Sequence, residues 1–221
     1  MPGPPRAAKT ASLHHERHFH RAGCRIIFGM DEAGRGPLAG PVAAAAVALP
    51  LDRGDLSKAL RGVRDSKEMT PLQRESLDDA IKDIALAWGI GRSSSSEIDR
   101  LGIVAATKSA MQRALKHALS RSDIQPDCLF LDYMLFPERR DIPQVSIVDG
   151  DKHSLSIACA SVIAKVWRDQ HMQELDARYP QYGFAQHKGY GTAAHRRALV
   201  RYGPCPEHRR SFAPVSSLEA G

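Results

Sequence analysis

The sequence has no apolar run that approaches the ~20 residues needed to span a bilayer. Its first residues also lack the apolar core of a secretory signal. The 4 cysteines are scattered, with no C-x-x-C pair and no His/Cys cluster at zinc-finger spacing. These absences argue against a membrane protein and against a zinc finger, so we expect a cytoplasmic protein with reduced thiols.

The composition is that of an ordinary globular protein, with 221 residues, 43% hydrophobic and 25% charged. A chain of this length can bury one substantial core, so we expect one catalytic domain. The formal net charge of +6 and the pI near 9.3 favour a polyanionic partner, because Lys and Arg gain affinity by displacing counterions from phosphate. Many basic proteins bind no nucleic acid, so composition alone leaves the partner open.

The first 23 residues are rich in Pro, Ala, Arg and His and show no apolar periodicity. Such a segment cannot bury enough surface to offset the entropy of ordering, and we expect residues 1–23 to form a disordered leader. Its four histidines could bind a metal adventitiously, but an unstructured tail preorganises no site. We expect the folded domain to span residues 24–215 and a short tail to follow at 216–221.

Strands and helices alternate along the rest of the chain, without internal repeats, which predicts an α/β or α+β domain. The predicted strands are 25–31, 42–49, 86–90, 127–132 and 144–148. One predicted helix begins at Thr70-Pro71, and three others span 103–119, 154–179 and 192–202. For 42–49 a short alanine-rich helix between Pro41 and Pro50 is the alternative. On 103–119 we expect Val104 to lie on the buried side with Met111, Leu115 and Leu119.

Two adjacent acids, Asp31 and Glu32, end the first predicted strand. Neighbouring side chains of a strand point to opposite faces, so both can meet one ion only where the strand bends or ends. The glycines that follow supply that freedom. A solvated pair of acids in a loop is the alternative, and these two residues alone do not exclude it.

Two further acids occupy comparable places. Asp132 ends the strand at 127–132, and Asp151 lies between a predicted strand and a predicted helix. Four carboxylates gathered at strand ends would hold Mg²⁺ or Mn²⁺, since these ions prefer oxygen ligands. Two such ions about 4 Å apart can activate a water and stabilise the leaving oxygen in phosphodiester hydrolysis. The spacing by itself does not show that the four converge.

The segment GMDEAGRGPLAGPV at 29–42 closely resembles the opening motif of the type 2 ribonucleases H, the ribonuclease HII family. Four further blocks resemble the family in the same order: DSK at 65–67, LD at 131–132, GD at 150–151 leading into IACASVIAKVWRD at 157–169, and YGFAQHKGYGT at 182–192. RRSFAPV at 209–215 looks like the family's closing segment. The resemblance covers residues 25–215, and five ordered motifs are far more specific than one.

The resemblance implies an α/β, ribonuclease H-like fold with a central mixed sheet flanked by helices. By similarity, Asp31, Glu32, Asp132 and Asp151 match the family's catalytic carboxylates, which bind Mg²⁺ or Mn²⁺, with two ions expected during catalysis. The implied activity is endonucleolytic. It hydrolyses the RNA strand of RNA–DNA hybrids and cuts 5′ to ribonucleotides embedded in duplex DNA, leaving 5′-phosphate and 3′-hydroxyl ends.

Recognition of RNA requires contact with the 2′-hydroxyl. By resemblance, the backbone of Gly34-Arg35-Gly36 and the side chain of Tyr190 make this contact at a ribonucleotide followed by deoxyribonucleotides. Glycine allows close backbone approach, and tyrosine offers a ring and a hydroxyl. A loop aromatic packed on the domain is the alternative for Tyr190.

Ser66, Lys67 and Lys188 are candidate phosphate contacts, because hydroxyls and ammonium groups hold a backbone without reading its sequence. A solvated lysine is the alternative for each lysine. Five arginines near the end of the chain could extend a duplex-binding surface or serve as solubility charge: Arg196, Arg197, Arg201, Arg209 and Arg210. For Asp169, inside the long predicted helix beside Arg168, we expect a structural ion-pairing or capping role, and a fifth catalytic carboxylate is the alternative.

The expected partners are RNA–DNA hybrids and duplex DNA that contains ribonucleotides, with a monomeric protein, no membrane and no obligate protein partner. The sequence departs from the family's pattern at Tyr133, where glycine is frequent, and at Asp149, where a basic residue is common. An extra acid near a cation site adds repulsion before metal binds. The competing hypotheses are a hybrid-binding protein without catalysis and a nuclease for DNA structures.

Overall fold

The computed structural model describes residues 10–136 and 141–218. Within them, five strands form one sheet in the order β3-β2-β1-β4-β5. Their bounds are β1 Ile27–Ala33, β2 Val42–Ala48, β3 Ala87–Ser93, β4 Cys128–Asp132 and β5 Gln144–Ile147. The pairs β1–β2 and β2–β3 are antiparallel, whereas β1–β4 and β4–β5 are parallel. The predicted mixed sheet is confirmed, and 42–49 is a strand rather than the alternative helix.

Helices cover both faces of this sheet. Their bounds are α1 His14–Arg21, α2 Leu56–Ala59, α3 Pro71–Ile84, α4 Ser95–Leu101, α5 Ile103–Leu119, α6 Gly150–His153, α7 Leu155–Arg178, α8 Phe184–His187 and α9 Ala193–Tyr202. No helix in the described ranges is long and apolar enough to cross a membrane.

Strand β2, between β3 and the central strand β1, is buried over its whole length because α5 and α7 pack on its opposite faces. Side chains of a strand alternate between the two faces. Ala45 and Val47 therefore pack in the cluster that contains α7, while Ala44 and Ala46 pack in the one that contains α5. Small side chains let both helices approach the sheet closely. At Gly29 of β1 an added Cβ would lie 2.2 Å from the backbone carbon of Ser156 in α7.

The helix boundaries follow the local capping signals. Thr70 accepts a hydrogen bond from the backbone N–H of Gln73 and forms a capping box with it, as its position before Pro71 predicts. The expectation that Val104 lies on the buried face of α5 is wrong, since it is 51% exposed. Alanines line that face beside Met111 and Leu115, because the helix lies too close to the sheet for larger side chains.

The expectation of a disordered leader is wrong for residues 10–23, while residues 1–9 lie outside the described ranges. Ala11 and Leu13 are buried in the α7 cluster, and the backbone N–H of Ala11 donates to the carbonyl of Val63. Phe19 of α1 packs edge-to-face on Phe130 of β4. Tertiary contacts with the rest of the domain order this segment, although it lacks its own periodic signal.

Candidate metal centre

Three of the predicted carboxylates converge. Asp31, Asp132 and Asp151 each place an oxygen within 4.8 Å of the others, and this is the cluster of possible metal ligands that the described residues contain. The parallel register pairs Met30 with Leu131, which puts Asp31 and Asp132 side by side. Asp151 joins them from α6, whose first residue, Gly150, donates its backbone N–H to Asp132 Oδ1 at 3.0 Å.

The cluster is electrostatically strained without a cation. Burial, followed by the charges of Glu32 and Asp132, holds the pKa of Asp31 well above its usual value. Burial, with the charges of Asp65 and Asp132, raises the pKa of Asp151 to about 6. Groups whose negative charges repel each other in a buried site gain most from a hard cation with oxygen ligands. The donor set therefore fits Mg²⁺ or Mn²⁺.

Glu32, the fourth predicted carboxylate, lies beside the three and is not part of their close group. Its Oε1 accepts a hydrogen bond of 3.2 Å from Arg35 Nη1, while its buried Oε2 has no hydrogen-bond partner among the described residues. Burial raises the pKa of Glu32, and the charge of Arg35 opposes this shift. An orphaned buried carboxylate oxygen is costly unless a further ligand satisfies it.

Two site residues were not predicted from sequence, Asp65 and Ser161. Ser161 forms a hydrogen bond to Asp31 and a 2.9 Å contact with the hydroxyl of Ser66. Ser66 is only 4% exposed, so this hydroxyl lies behind Asp31 rather than on an open surface. Asp65 accepts a hydrogen bond from the backbone N–H of Lys67 at 2.9 Å. Membership of the DSK block was the signal that could have identified Asp65.

Lys67 lies next to the carboxylates. Burial alone would lower the pKa of its ammonium group, but the charges of Asp65, Asp31 and Asp151 outweigh it and raise the pKa. The lysine therefore stays protonated at the edge of the cluster. Lys188 differs, because its ammonium group donates to the carbonyl of Ala185.

The glycine loop, residues 34–36, is held from behind by two buried arginines. Arg209 donates to the carbonyl oxygens of Gly34 at 2.6 Å and Arg35 at 2.8 Å. Arg168 packs against Gly34 and donates to the carbonyls of Ala39 at 3.2 Å and Lys188 at 3.0 Å, so it joins the segment after the glycine loop to residues 188–192, the Tyr190 loop. Gly34 has φ +93°, a conformation that a side chain would strain. Arg209 is fully buried, so a surface role for it is wrong.

Tyr190 lies beside the glycine loop with its side chain accessible. It is 46% exposed, and its Cε1 lies 4.0 Å from the position that a Cβ on Gly36 would occupy. The Gly189 carbonyl accepts the backbone N–H of Leu38 at 2.8 Å, and this bond holds the segment directly after the glycine loop against the loop that carries Tyr190. The structure thus brings the predicted recognition elements into one surface.

The remaining predicted residues lie around this site. Asp169 pairs with Lys165 at 2.7 Å and Arg74 at 3.3 Å, as expected for a structural ion pair. Tyr133, after Asp132, is 73% exposed and has φ +63°, where glycine would be unstrained. Asp149 has φ +51° and contacts Lys152 at 3.5 Å.

The ribonuclease HII family model matches residues 28–215 of the chain. A ribonuclease HII of Geobacillus kaustophilus is 54% identical over 206 residues, covering 93% of this chain and 75% of that protein. The crystal structure of ribonuclease H2 from Pyrococcus horikoshii has a TM-score of 0.70 at 25% identity, covering 88% of this chain and 97% of that one. Bst-RNase HIII in complex with Mn²⁺ shares the fold, with a TM-score of 0.66 at 19% identity over 91% of this chain and 71% of that one. Together with the carboxylate cluster, these similarities show that the chain belongs to the ribonuclease HII family of metal-dependent endoribonucleases.

Proposed function

We propose that this chain hydrolyses the RNA strand of RNA–DNA hybrids and cuts on the 5′ side of ribonucleotides embedded in duplex DNA. The observation that carries the proposal is the convergence of Asp31, Asp132 and Asp151 beside the surface formed by Tyr190 and the glycine loop. A nuclease that distinguishes ribose from deoxyribose needs its metal-binding carboxylates and its sugar-contacting groups on one surface.

In this proposal Asp31, Glu32, Asp132 and Asp151 hold Mg²⁺ or Mn²⁺. The raised pKa of Asp31, the raised pKa of Asp151 and the orphaned Oε2 of Glu32 support the assignment, because a cation would relieve all three. Bound cations would supply electrophilic stabilisation and an activated water for phosphodiester hydrolysis, leaving 5′-phosphate and 3′-hydroxyl ends.

Several residues of the chain orient the substrate and the carboxylates. Tyr190 and the backbone of the glycine loop contact the 2′-hydroxyl and the sugar of the ribonucleotide. Lys67 holds a phosphate next to the carboxylates, and its raised pKa keeps it cationic for this role. The buried Ser66 acts through Ser161 to orient Asp31. Lys188, which is already bonded to Ala185, is a weaker candidate for a phosphate contact.

The partners in this proposal are RNA–DNA hybrids and ribonucleotide-containing duplexes, met in the cytoplasm by a monomer without an obligate protein partner. The net charge of +6 supports binding to polyanions. Such an activity belongs in the removal of ribonucleotides from DNA and the clearance of RNA primers.

The test uses a labelled DNA duplex with one ribonucleotide, an all-DNA duplex, and Mg²⁺, Mn²⁺ or chelator. We expect metal-dependent cutting 5′ to the ribonucleotide, its loss in Asp31→Asn, and weaker cutting by Tyr190→Ala. Tight binding of a hybrid without cutting in either metal would instead support a binding protein. Equal cutting of the all-DNA duplex would overturn the recognition role of Tyr190.

A further inference from the structure

Two buried histidines lie behind the exposed ring of Tyr190. His195 is 0% exposed and His208 is 1% exposed, and their Nε2 atoms are 2.9 Å apart. His195 Nδ1 lies 2.9 Å from the carbonyl oxygen of Tyr190. On the far side, the backbone N–H of Cys205 donates to His208 Nδ1 at 2.9 Å. The two imidazoles thus connect the backbone at Cys205 with the backbone at Tyr190.

The backbone groups at both ends fix the tautomers of the two rings. A carbonyl can only accept, so His195 carries its proton on Nδ1 and donates it to Tyr190. An N–H can only donate, so His208 Nδ1 is unprotonated and its proton is on Nε2. His208 Nε2–H therefore donates to His195 Nε2. Every hydrogen-bonding position of the two rings is used once.

The chain of bonds requires both rings to be neutral. A proton added to His195 would place two N–H groups face to face at the 2.9 Å contact. A proton added to His208 would oppose the N–H of Cys205 in the same way. The surroundings favour neutrality, since burial lowers the pKa of both imidazoles to about 4. The titratable and charged groups around them are His187, Tyr182, Tyr190, Cys205 and Arg210.

The backbone of Tyr190 is held on both sides. Its N–H donates to the carbonyl of His187 at 2.9 Å, and its carbonyl accepts the N–H of Thr192 at 2.8 Å as well as His195 Nδ1–H. Leu38 and Arg168 hold this loop at Gly189 and Lys188, and the bond from His195 is the one that joins the backbone of Tyr190 itself to a buried side chain. The ring of Tyr190 is thereby placed over the glycine loop while it stays exposed to substrate.

We propose that His195, oriented by His208, is a positioning residue that sets the place of Tyr190 and so determines how well the enzyme distinguishes a ribonucleotide embedded in DNA from a uniform hybrid. This inference rests on the proposed recognition role of Tyr190. A recognition group must be held to within about 0.5 Å to be effective, and it needs support from rigid neighbours. Neither histidine contacts the carboxylate cluster, so the effect is on recognition rather than on the hydrolytic step.

Two substitutions at position 195 separate the hydrogen bond to Tyr190 from the hydrogen bond with His208. The amide nitrogen of Asn overlaps the Nδ1 position of histidine, so His195→Asn keeps a donor to Tyr190 and loses the partner of His208. The amide of Gln reaches the Nε2 position, so His195→Gln keeps a partner for His208 and loses the donor to Tyr190. Each variant gives up one buried hydrogen bond, and both should lose similar stability. Leu175→Ala, a buried residue of α7 in the neighbouring cluster, is the control for lost stability alone.

The primary measurement is kcat/KM on a duplex with one ribonucleotide divided by kcat/KM on a uniform RNA–DNA hybrid, with Tyr190→Ala alongside. We expect this ratio to fall about tenfold in His195→Gln and to stay within about threefold of the parent in His195→Asn and Leu175→Ala. Hydrogen exchange of the peptide 187–193 should accelerate in His195→Gln and remain slow in His195→Asn.

The outcomes distinguish this inference from the proposed function. If Tyr190→Ala lowers the ratio while His195→Gln and His195→Asn do not differ, the positioning role is overturned and the recognition role of Tyr190 stands. If Tyr190→Ala leaves the ratio unchanged, the recognition role is overturned and the inference with it. Unchanged exchange of 187–193 in His195→Gln would overturn the positioning role even in a protein that cuts neither substrate.

Discussion

The carboxylate of Glu16 lies 2.6 Å from the hydroxyl of Ser154, although 138 positions separate the two residues. The same Oε1 accepts the backbone N–H of Ser156 at 2.9 Å and its hydroxyl at 2.8 Å. Ser12 adds its carbonyl as acceptor for the N–H of Leu155. The segment before β1 thus satisfies the first N–H groups of α7, the helix that packs behind Asp31.

We expect Glu16→Ala to lower the free energy of unfolding by about 2–4 kcal/mol, because it removes a buried carboxylate with three hydrogen bonds at a helix N-terminus. Urea unfolding measures the change. Arg17→Ala, an exposed position on the same helix, is the control and should shift stability by less than about 0.5 kcal/mol. Equal effects of the two substitutions would show that residues 10–23 do not brace α7.

Asp31→Asn should raise the melting temperature of the protein in chelator by about 2–4 °C, because it removes one charge from a buried, mutually repelling cluster. The same substitution should abolish the rise in melting temperature that Mg²⁺ or Mn²⁺ produces in the parent. Thermal unfolding with and without metal gives both values. Asp169→Asn, which breaks ion pairs with Arg74 and Lys165, should instead lower the melting temperature in chelator. A lower melting temperature for Asp31→Asn would contradict the repulsion argument.

Arg209→Lys should lower kcat/KM at least about tenfold, because one ammonium group cannot replace the hydrogen bonds that the guanidinium gives to the carbonyls of Gly34, Arg35 and Gly40. Amide exchange of residues 34–40 should accelerate at the same time. Arg61→Lys, at an exposed position, provides the matched control. Activity near that of the parent, together with unchanged exchange, would show that the glycine loop holds its shape without Arg209.

Acid should weaken the fold through His195 and His208. The pKa of each is about 4 in the folded protein and about 6.5 when unfolded, so the unfolded chain takes up the proton first. Their contribution is fully present above pH 6.5 and is lost as the pH falls towards 4. Between pH 7 and pH 5 we expect His195→Asn to lose about 2 kcal/mol less stability than the parent in urea titrations. Parallel losses in the two proteins would mean that His195 is not held neutral by the fold.

Local patterns predicted most of the secondary structure. The strand that ends at Asp132 and the helices at 103–119 and 154–179 agree with β4, α5 and α7 to within one or two residues. Periodicity and capping residues act over a few neighbours, so they can be read from the chain itself. Val104 was misplaced because helical periodicity alone does not show how closely α5 approaches the sheet.

The site was predicted unevenly for the same reason. Asp31, Asp132 and Asp151 carry a motif signal. Parallel pairing of β1 with β4 brings Asp31 and Asp132 together, and α6 brings Asp151 to them. Asp65 and Ser161 were missed, because a short acid or hydroxyl in a buried position has no local signature. Ser66 was expected to contact phosphate, and only packing against Ser161 shows that its hydroxyl is buried.

The sequence by itself determined the fold class, the positions of the five strands and of the longer helices along the chain, and the three carboxylates that converge. Tertiary structure alone decided that residues 10–23 dock, that Arg209 is buried behind the glycine loop, and that His195 and His208 meet behind Tyr190. Each of these depends on hydrogen bonds or burial between different segments of the chain. Whether an ionisable side chain is solvated or buried is set by the groups that surround it after folding, and no spacing along the chain encodes them.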